Sequence, residues 1–170
     1  MTEDKFIDLM ETFAINHPDI QHQANGKNRF TIKGEEIFSK ITQDLDAKNF
    51  CVILSPETFS VSTEEPTAGQ FFDFTKVSVE VARKSAKDEN SVRTTQNLAK
   101  PIIEKFWREI LFLKNKRLAP FEQGTITITN VRKNRTSGGV ENLCGYRLEL
   151  TFKAPIIGIS SQYQSFTTTQ

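Results

Sequence analysis

The clearest alternation of apolar and polar positions lies in the last third of the chain. Within Asn142–Lys153, Tyr146, Leu148, Leu150 and Phe152 alternate with Arg147, Glu149, Thr151 and Lys153. Period two predicts a half-buried strand, because successive side chains point to opposite sheet faces. Upstream runs a threonine–isoleucine ladder, Gly124–Thr129, followed by a basic, glycine-containing loop. The two segments are expected to pair as a long-looped hairpin. Ile126 and Ile128 should then share with Leu148 and Leu150 the face beneath the long helix.

Elsewhere the pattern switches between helical and strand periods. A helix is predicted over residues 2–15, with Thr2 as cap, Glu3 and Asp4 at the positive end of the helix dipole, and a stripe of Phe6, Leu9, Met10 and Phe13. Asn16–Asp19 stops it. After a turn at Asn25-Gly26, Arg29–Lys33 reads as a short strand and Glu35–Asp46 as a second helix with Ile37, Phe38, Ile41 and Leu45 on one side. Phe50–Leu54 is a continuous apolar run, suited to a strand covered on both faces. Ser55-Pro56 ends or bends it, Thr58–Ser62 could continue the ribbon, and Glu64–Gly69 reads as a polar loop.

Gln70–Arg83 is a long strand with a phase change. Phe72 and Phe74 share one parity and Val77, Val79 and Val81 the other, which a bulge near Thr75-Lys76 would reconcile. Lys84–Asn90 reads as a charged loop. Ile103, Phe106, Trp107, Ile110 and Leu113 then mark a helix over residues 91–116. Pro101 either kinks it or opens the second of two helices. Leu118–Phe121 leads into the hairpin. The order predicts an α+β fold: a mainly antiparallel sheet with helices packed on one face, a long C-terminal hairpin and an extended arm. Residues 1–154 form the expected domain and 155–170 the arm.

That arm contains no charged residue from Pro155 to Gln170, yet carries Ile156, Ile157, Ile159, Tyr163 and Phe166. Such a segment is poorly suited to solvent, so it is expected to lie against its own domain or a neighbouring chain.

Composition narrows the function classes. The 22 basic and 21 acidic residues leave a formal net charge of +1, which argues against generalised polyanion binding but not against a local basic patch. Fourteen phenylalanines against one tryptophan and two tyrosines imply many core or interface rings without a polar handle. No apolar run approaches the ~18 residues of a membrane span. The acidic, amphipathic N-terminus is unlike a signal peptide, and the expected compartment is cytoplasmic.

The residue types of catalysis are present without their spacings. His17 and His22 stand apart in sequence from Cys51 and Cys144, so no metal site is expected; the histidines read as surface residues and the cysteines as buried thiols. A disulfide between them is not demanded by spacing. There is no Gly-x-Ser-x-Gly elbow and no phosphate loop. Gly138-Gly139 reads as a flexible turn, and the pairs Glu35/Glu36 and Glu64/Glu65 as dipole complementation and solvation. No catalytic, cofactor or metal residues are therefore assigned.

Two surfaces remain. Arg132, Lys133 and Arg135 form a basic loop that could touch phosphates or could be an ordinary hairpin tip. Phe71 and Phe72 must face opposite sides of a strand, so both sides need cover, and a neighbouring subunit is a reasonable source of the second.

The element order, together with the closing segment Asn142-Leu-Cys-Gly-Tyr-Arg-Leu-Glu-Leu-Thr-Phe, resembles small virion proteins of phages and prophages of Bacteroidetes-type bacteria. More broadly it is similar to the tail-terminator and head–tail connector family. The resemblance covers most of the chain as element order and texture, and transfers no functional residue. It implies a non-enzymatic α/β subunit that closes into a ring, usually hexameric in tails, capping or joining the tail tube. It also implies neighbouring tail or connector proteins as partners, DNA passing through the ring, and a place in the virion after assembly in the bacterial cytoplasm. Phe71, Phe72 and the arm residues Ile156, Ile157, Ile159, Tyr163 and Phe166 are the expected subunit contacts. The competing reading is a stand-alone domain enclosing an apolar ligand between sheet and helices. A hydrolase with a convergent site is a third class, without a nucleophile or metal pattern to support it.

Overall fold

A computed structural model describes residues 3–23, 25–32, 45–55, 60–67, 70–122, 125–137 and 142–156. Along the chain it contains α1 (Glu3–Asn16), β1 (Phe30–Ile32), β2 (Cys51–Leu54), β3 (Val61–Thr67), β4 (Gln70–Lys84), α2 (Glu89–Lys116), β5 (Thr127–Ser137) and β6 (Leu143–Pro155). The strands form one sheet in the order β1-β2-β4-β6-β5, with β3 also paired to β4. Only β1 and β2 run parallel. The α+β class expected from the sequence is the class observed.

Both described helices lie on one face. From α1, Phe6, Met10 and Ala14 are buried; from α2, Ile102, Ile103, Phe106 and Ile110. They pack on Val52 and Leu54 of β2, Val77, Val79 and Val81 of β4, and Leu148, Leu150 and Phe152 of β6. Trp107 is half-buried at the rim of this core. The continuous apolar run of β2 is explained by its two faces: Val52 and Leu54 enter the helix-side core, while Cys51 and Ile53 join Leu45, Ala47 and Ala82 in a second cluster.

The long helix is a single element. Asp88 accepts a hydrogen bond from Ser91 N at 2.9 Å, which caps one of the unpaired N–H groups of the first turn. Arg117, in the left-handed region at φ 54°, closes the other end. Pro101 sits inside the helix on its exposed side, where water can solvate the carbonyl that loses its partner.

Four expectations change. First, β4 needs no bulge: its register to β6 runs unbroken from Phe72↔Pro155 to Lys84↔Leu143. The phase change arises because the valines face the helices, whereas Phe72 and Phe74 face the other side, where the β3–β4 ribbon runs past the core. The register shifts instead lie between Glu64 and Thr67 in β3 and between Ile128 and Asn130 in β5. Second, Glu64–Thr67 belong to β3, held by antiparallel pairing to β4 rather than left as a loop. Third, the supposed loop at Lys84–Asn90 is shorter, because β4 reaches Lys84 and α2 begins at Glu89. Fourth, Arg132, Lys133 and Arg135 are not at a hairpin tip; they lie within β5, whose pairing to β6 continues to Ser137↔Cys144.

The Thr2 cap, most of the second predicted helix, and Ile157, Ile159, Tyr163 and Phe166 lie outside the described residues. Of the predicted arm, Pro155 ends β6, and Ile156 N donates to Phe71 O at 3.0 Å.

Candidate functional surfaces

Strand alternation divides the three basic residues of β5 between two faces. Lys133 is paired with Leu148 and Arg135 with Tyr146, both on the helix side. Lys133 Nζ is tied there by Glu104 Oε2 at 2.7 Å and lies 5.8 Å from the Trp107 ring centroid. Arg132 is paired with Glu149 and faces the opposite side. The structure therefore does not gather the trio into one patch.

The face opposite the two described helices carries the second apolar cluster over β2 and polar side chains along the middle of β4, β6 and β5. Glu80, only 5% exposed, accepts from Thr136 Oγ1 at 2.7 Å and from Arg147 Nη2 at 3.0 Å. Arg147 Nη1 also lies 4.0 Å from Glu149 Oε1. A groove of about 270 Å³ opens beside this network, lined by Lys76, Ser78, Asn130, Arg132, Glu149 and Thr151 among others. Lys153 Nζ lies 3.8 Å from the Phe72 ring centroid and 5.7 Å from that of Phe74. Lys76 and Lys153 were not among the sequence candidates. They join Arg132 only through the β4–β6–β5 register, a long-range fact that no local motif carries.

Phe71 and Phe72 do face opposite sides. Phe71 is 38% exposed, and Val61 of the adjoining β3 is 58% exposed. Three strands lack a further neighbour among the described residues: β1 and β3 on one side of the sheet and β5 on the other. The β3 edge carries Glu64 and Glu65, and the β5 edge Arg132, Lys133 and Arg135. Gln96 Nε2 reaches from α2 to cap one edge carbonyl, Thr136 O, at 3.0 Å.

The cysteines and histidines are all buried. Cys51 and Cys144 are buried free thiols, and burial, with the nearby Asp46 charge, pushes the Cys51 thiol up to about 12. The histidines are not on the surface as expected: each is 5% exposed. His17 Nδ1 accepts from Asp19 N at 3.2 Å, and His22 Nδ1 accepts from Arg29 N at 3.0 Å. Their rings pack beside Phe13 and Phe30. Each buried imidazole thus has one nitrogen satisfied by a backbone N–H, and His22 Nε2 also lies 3.5 Å from Glu11 Oε1. Among the described residues, no three His, Cys, Asp or Glu side chains are grouped to hold a metal, and no helix is long and apolar enough to cross a membrane.

Burial and the nearby Lys105 charge hold the His17 imidazole below its ordinary pKa, against a smaller opposing effect of Asp19. Below pH ~6.5 the unfolded chain therefore takes up this proton more readily than the folded one. The contribution of His17 is fully present above that pH and is lost on acidification. Unfolding midpoints measured from pH 7 to pH 5 should fall less steeply for His17→Gln than for the parent. Parallel curves would contradict the assignment.

Neither a protein-family model nor a curated protein sequence matches the chain significantly.

Proposed function

We propose that the chain is a non-enzymatic structural subunit of a phage or phage-like particle. It closes into a homomeric ring at the tail terminus or head–tail connector, in the virion, after assembly in the host cytoplasm. Its partners are further copies of itself and neighbouring tail or connector proteins, and the ring passes DNA. The observation that best supports the ring is the unlike charge of two of the sheet edges, β3 with Glu64 and Glu65 and β5 with Arg132 and Arg135 exposed. Unpaired strand edges are templates for another strand. Unlike edges pair head to tail, and head-to-tail contacts close into rings when the rotation permits. The phage setting rests on the resemblance of element order and of the closing hairpin.

An apolar ligand between the layers would have to displace Phe6, Phe106, Phe121 and Phe152, which are fully buried there. That reading gains no support from the packing.

Charge exchange tests the ring contact. The double variant Glu64→Lys/Glu65→Lys should lose the native multimer while keeping its circular dichroism spectrum. Adding Arg132→Glu/Arg135→Glu should restore the multimer. A multimer unaffected by the first pair, or not recovered by the second, would count against these edges as the contact.

A further inference from the structure

We infer that the sheet face opposite the two described helices binds the phosphate backbone of a single nucleic-acid strand, through Lys76, Arg132 and Lys153. The inference deepens the particle reading, in which the ring passes DNA.

The register places these side chains in successive rows on one face. Phe74 is paired with Lys153; Lys76 with Thr151, and Thr151 with Asn130; Ser78 with Glu149, and Glu149 with Arg132. Lys76 and Arg132 are exposed and flank the groove of about 270 Å³ from opposite sides. Its remaining lining includes Asn130, Thr151 and Ser78, side chains of the kind that donate to phosphate oxygens alongside lysine and arginine.

The acidic groups on this face are largely spoken for. Glu80 is held by Arg147 and Thr136, and Glu149 lies beside the same arginine. From the Phe74 row to the Glu80 row the face carries four cations, Lys76, Arg132, Arg147 and Lys153, against the two carboxylates Glu80 and Glu149, a surplus of two. Glu64, opposite Phe72, lies one row beyond. This local surplus escapes notice in a chain of net charge +1.

The ring of Phe74, half-buried beside Lys153, favours an unpaired strand over a duplex. Aromatic side chains on a sheet face stack unpaired bases, whereas duplex bases are already stacked.

Fluorescence anisotropy with a labelled oligothymidine at low salt tests the site. Three phosphate contacts predict a slope of about −2 in log affinity against log salt for a single strand. The variant Lys76→Ser/Arg132→Ser/Lys153→Ser should bind at least about tenfold more weakly and lose most of that slope. Arg108→Ser, exposed on α2 and away from this face, should bind as the parent does. Should the triple variant unfold, Lys76→Ser and Arg132→Ser taken singly should each weaken binding and flatten the slope. A parent that does not bind, tighter binding to the matching duplex, or equal loss in Arg108→Ser would overturn the inference. Native mass recorded on the same samples separates this outcome from failure of the ring: a monomer that binds keeps the site and loses the ring.

Discussion

Replacing Leu150 by aspartate is expected to destabilise the domain by at least ~3 kcal/mol. Leu150 is 2% exposed and is paired on either side with Val77 and Val131. Its side chain belongs to the helix-side core, together with Leu148, Phe152, Ile103 and Phe106. A carboxylate there has three outcomes: burial without a counter-charge, protonation, or a strand pulled out of the sheet. Each costs free energy comparable with much of the total stability of a domain, about 5–15 kcal/mol. The expected result is a large drop in the denaturant midpoint, with a substantial unfolded population in water. An unchanged midpoint would show that this face of β6 is not the core.

Gly145→Ala should be nearly as damaging, for a different reason. Gly145 lies in β6, paired with Ala82 of β4 and Thr136 of β5. A Cβ at this position would lie 1.9 Å from Val81 O and 2.7 Å from Ala82 Cα. Both are backbone atoms in the middle of a sheet, so relief requires the strands themselves to part. Overpacking costs typically 1–3 kcal/mol, and clash with backbone places this substitution at about 3 kcal/mol. The loss should appear in the unfolding midpoint, and hydrogen exchange should quicken at the β4–β6 pairing around Ala82. A variant as stable as the parent would refute the close approach of the strands.

These two residues show what the sequence made legible. The strand carrying Leu150 was readable from alternation alone, because one buried face and one polar face leave a period-two trace. The α2 stripe and the two-sided run Phe50–Leu54 were readable for the same kind of reason: local periodicity reports burial. Gly145 was not readable, because its need for a missing side chain is set by a neighbouring strand far away in sequence. The same limit explains the basic residues of β5. Three charges in four positions look like one patch, but strand alternation sends Arg132 to one face and Lys133 to the other, and Lys133 is engaged by Glu104. His17 and His22 were misplaced on the surface because their backbone hydrogen bonds follow from the fold of the segment after α1. The candidate surfaces are thus products of register, and the sequence candidates captured only Arg132 and Phe72 of the face opposite the described helices.

The proposed contacts make different demands on the two surfaces. Edge pairing uses backbone groups and tolerates many side chains, provided opposing charges match. Phosphate contact uses side-chain charge and weakens as salt rises. Assembly and nucleic-acid binding should therefore respond differently to salt and to substitution, even though Arg132 is placed near both.

The most direct test of the central proposal is the native mass of the full chain, measured at near-physiological salt across a range of protein concentrations. A ring subunit predicts one discrete species at a fixed integer multiple of 19.4 kDa, unchanged on dilution over the working range. A single species at 19.4 kDa at every concentration, or an open-ended ladder of masses, would contradict closure into a ring.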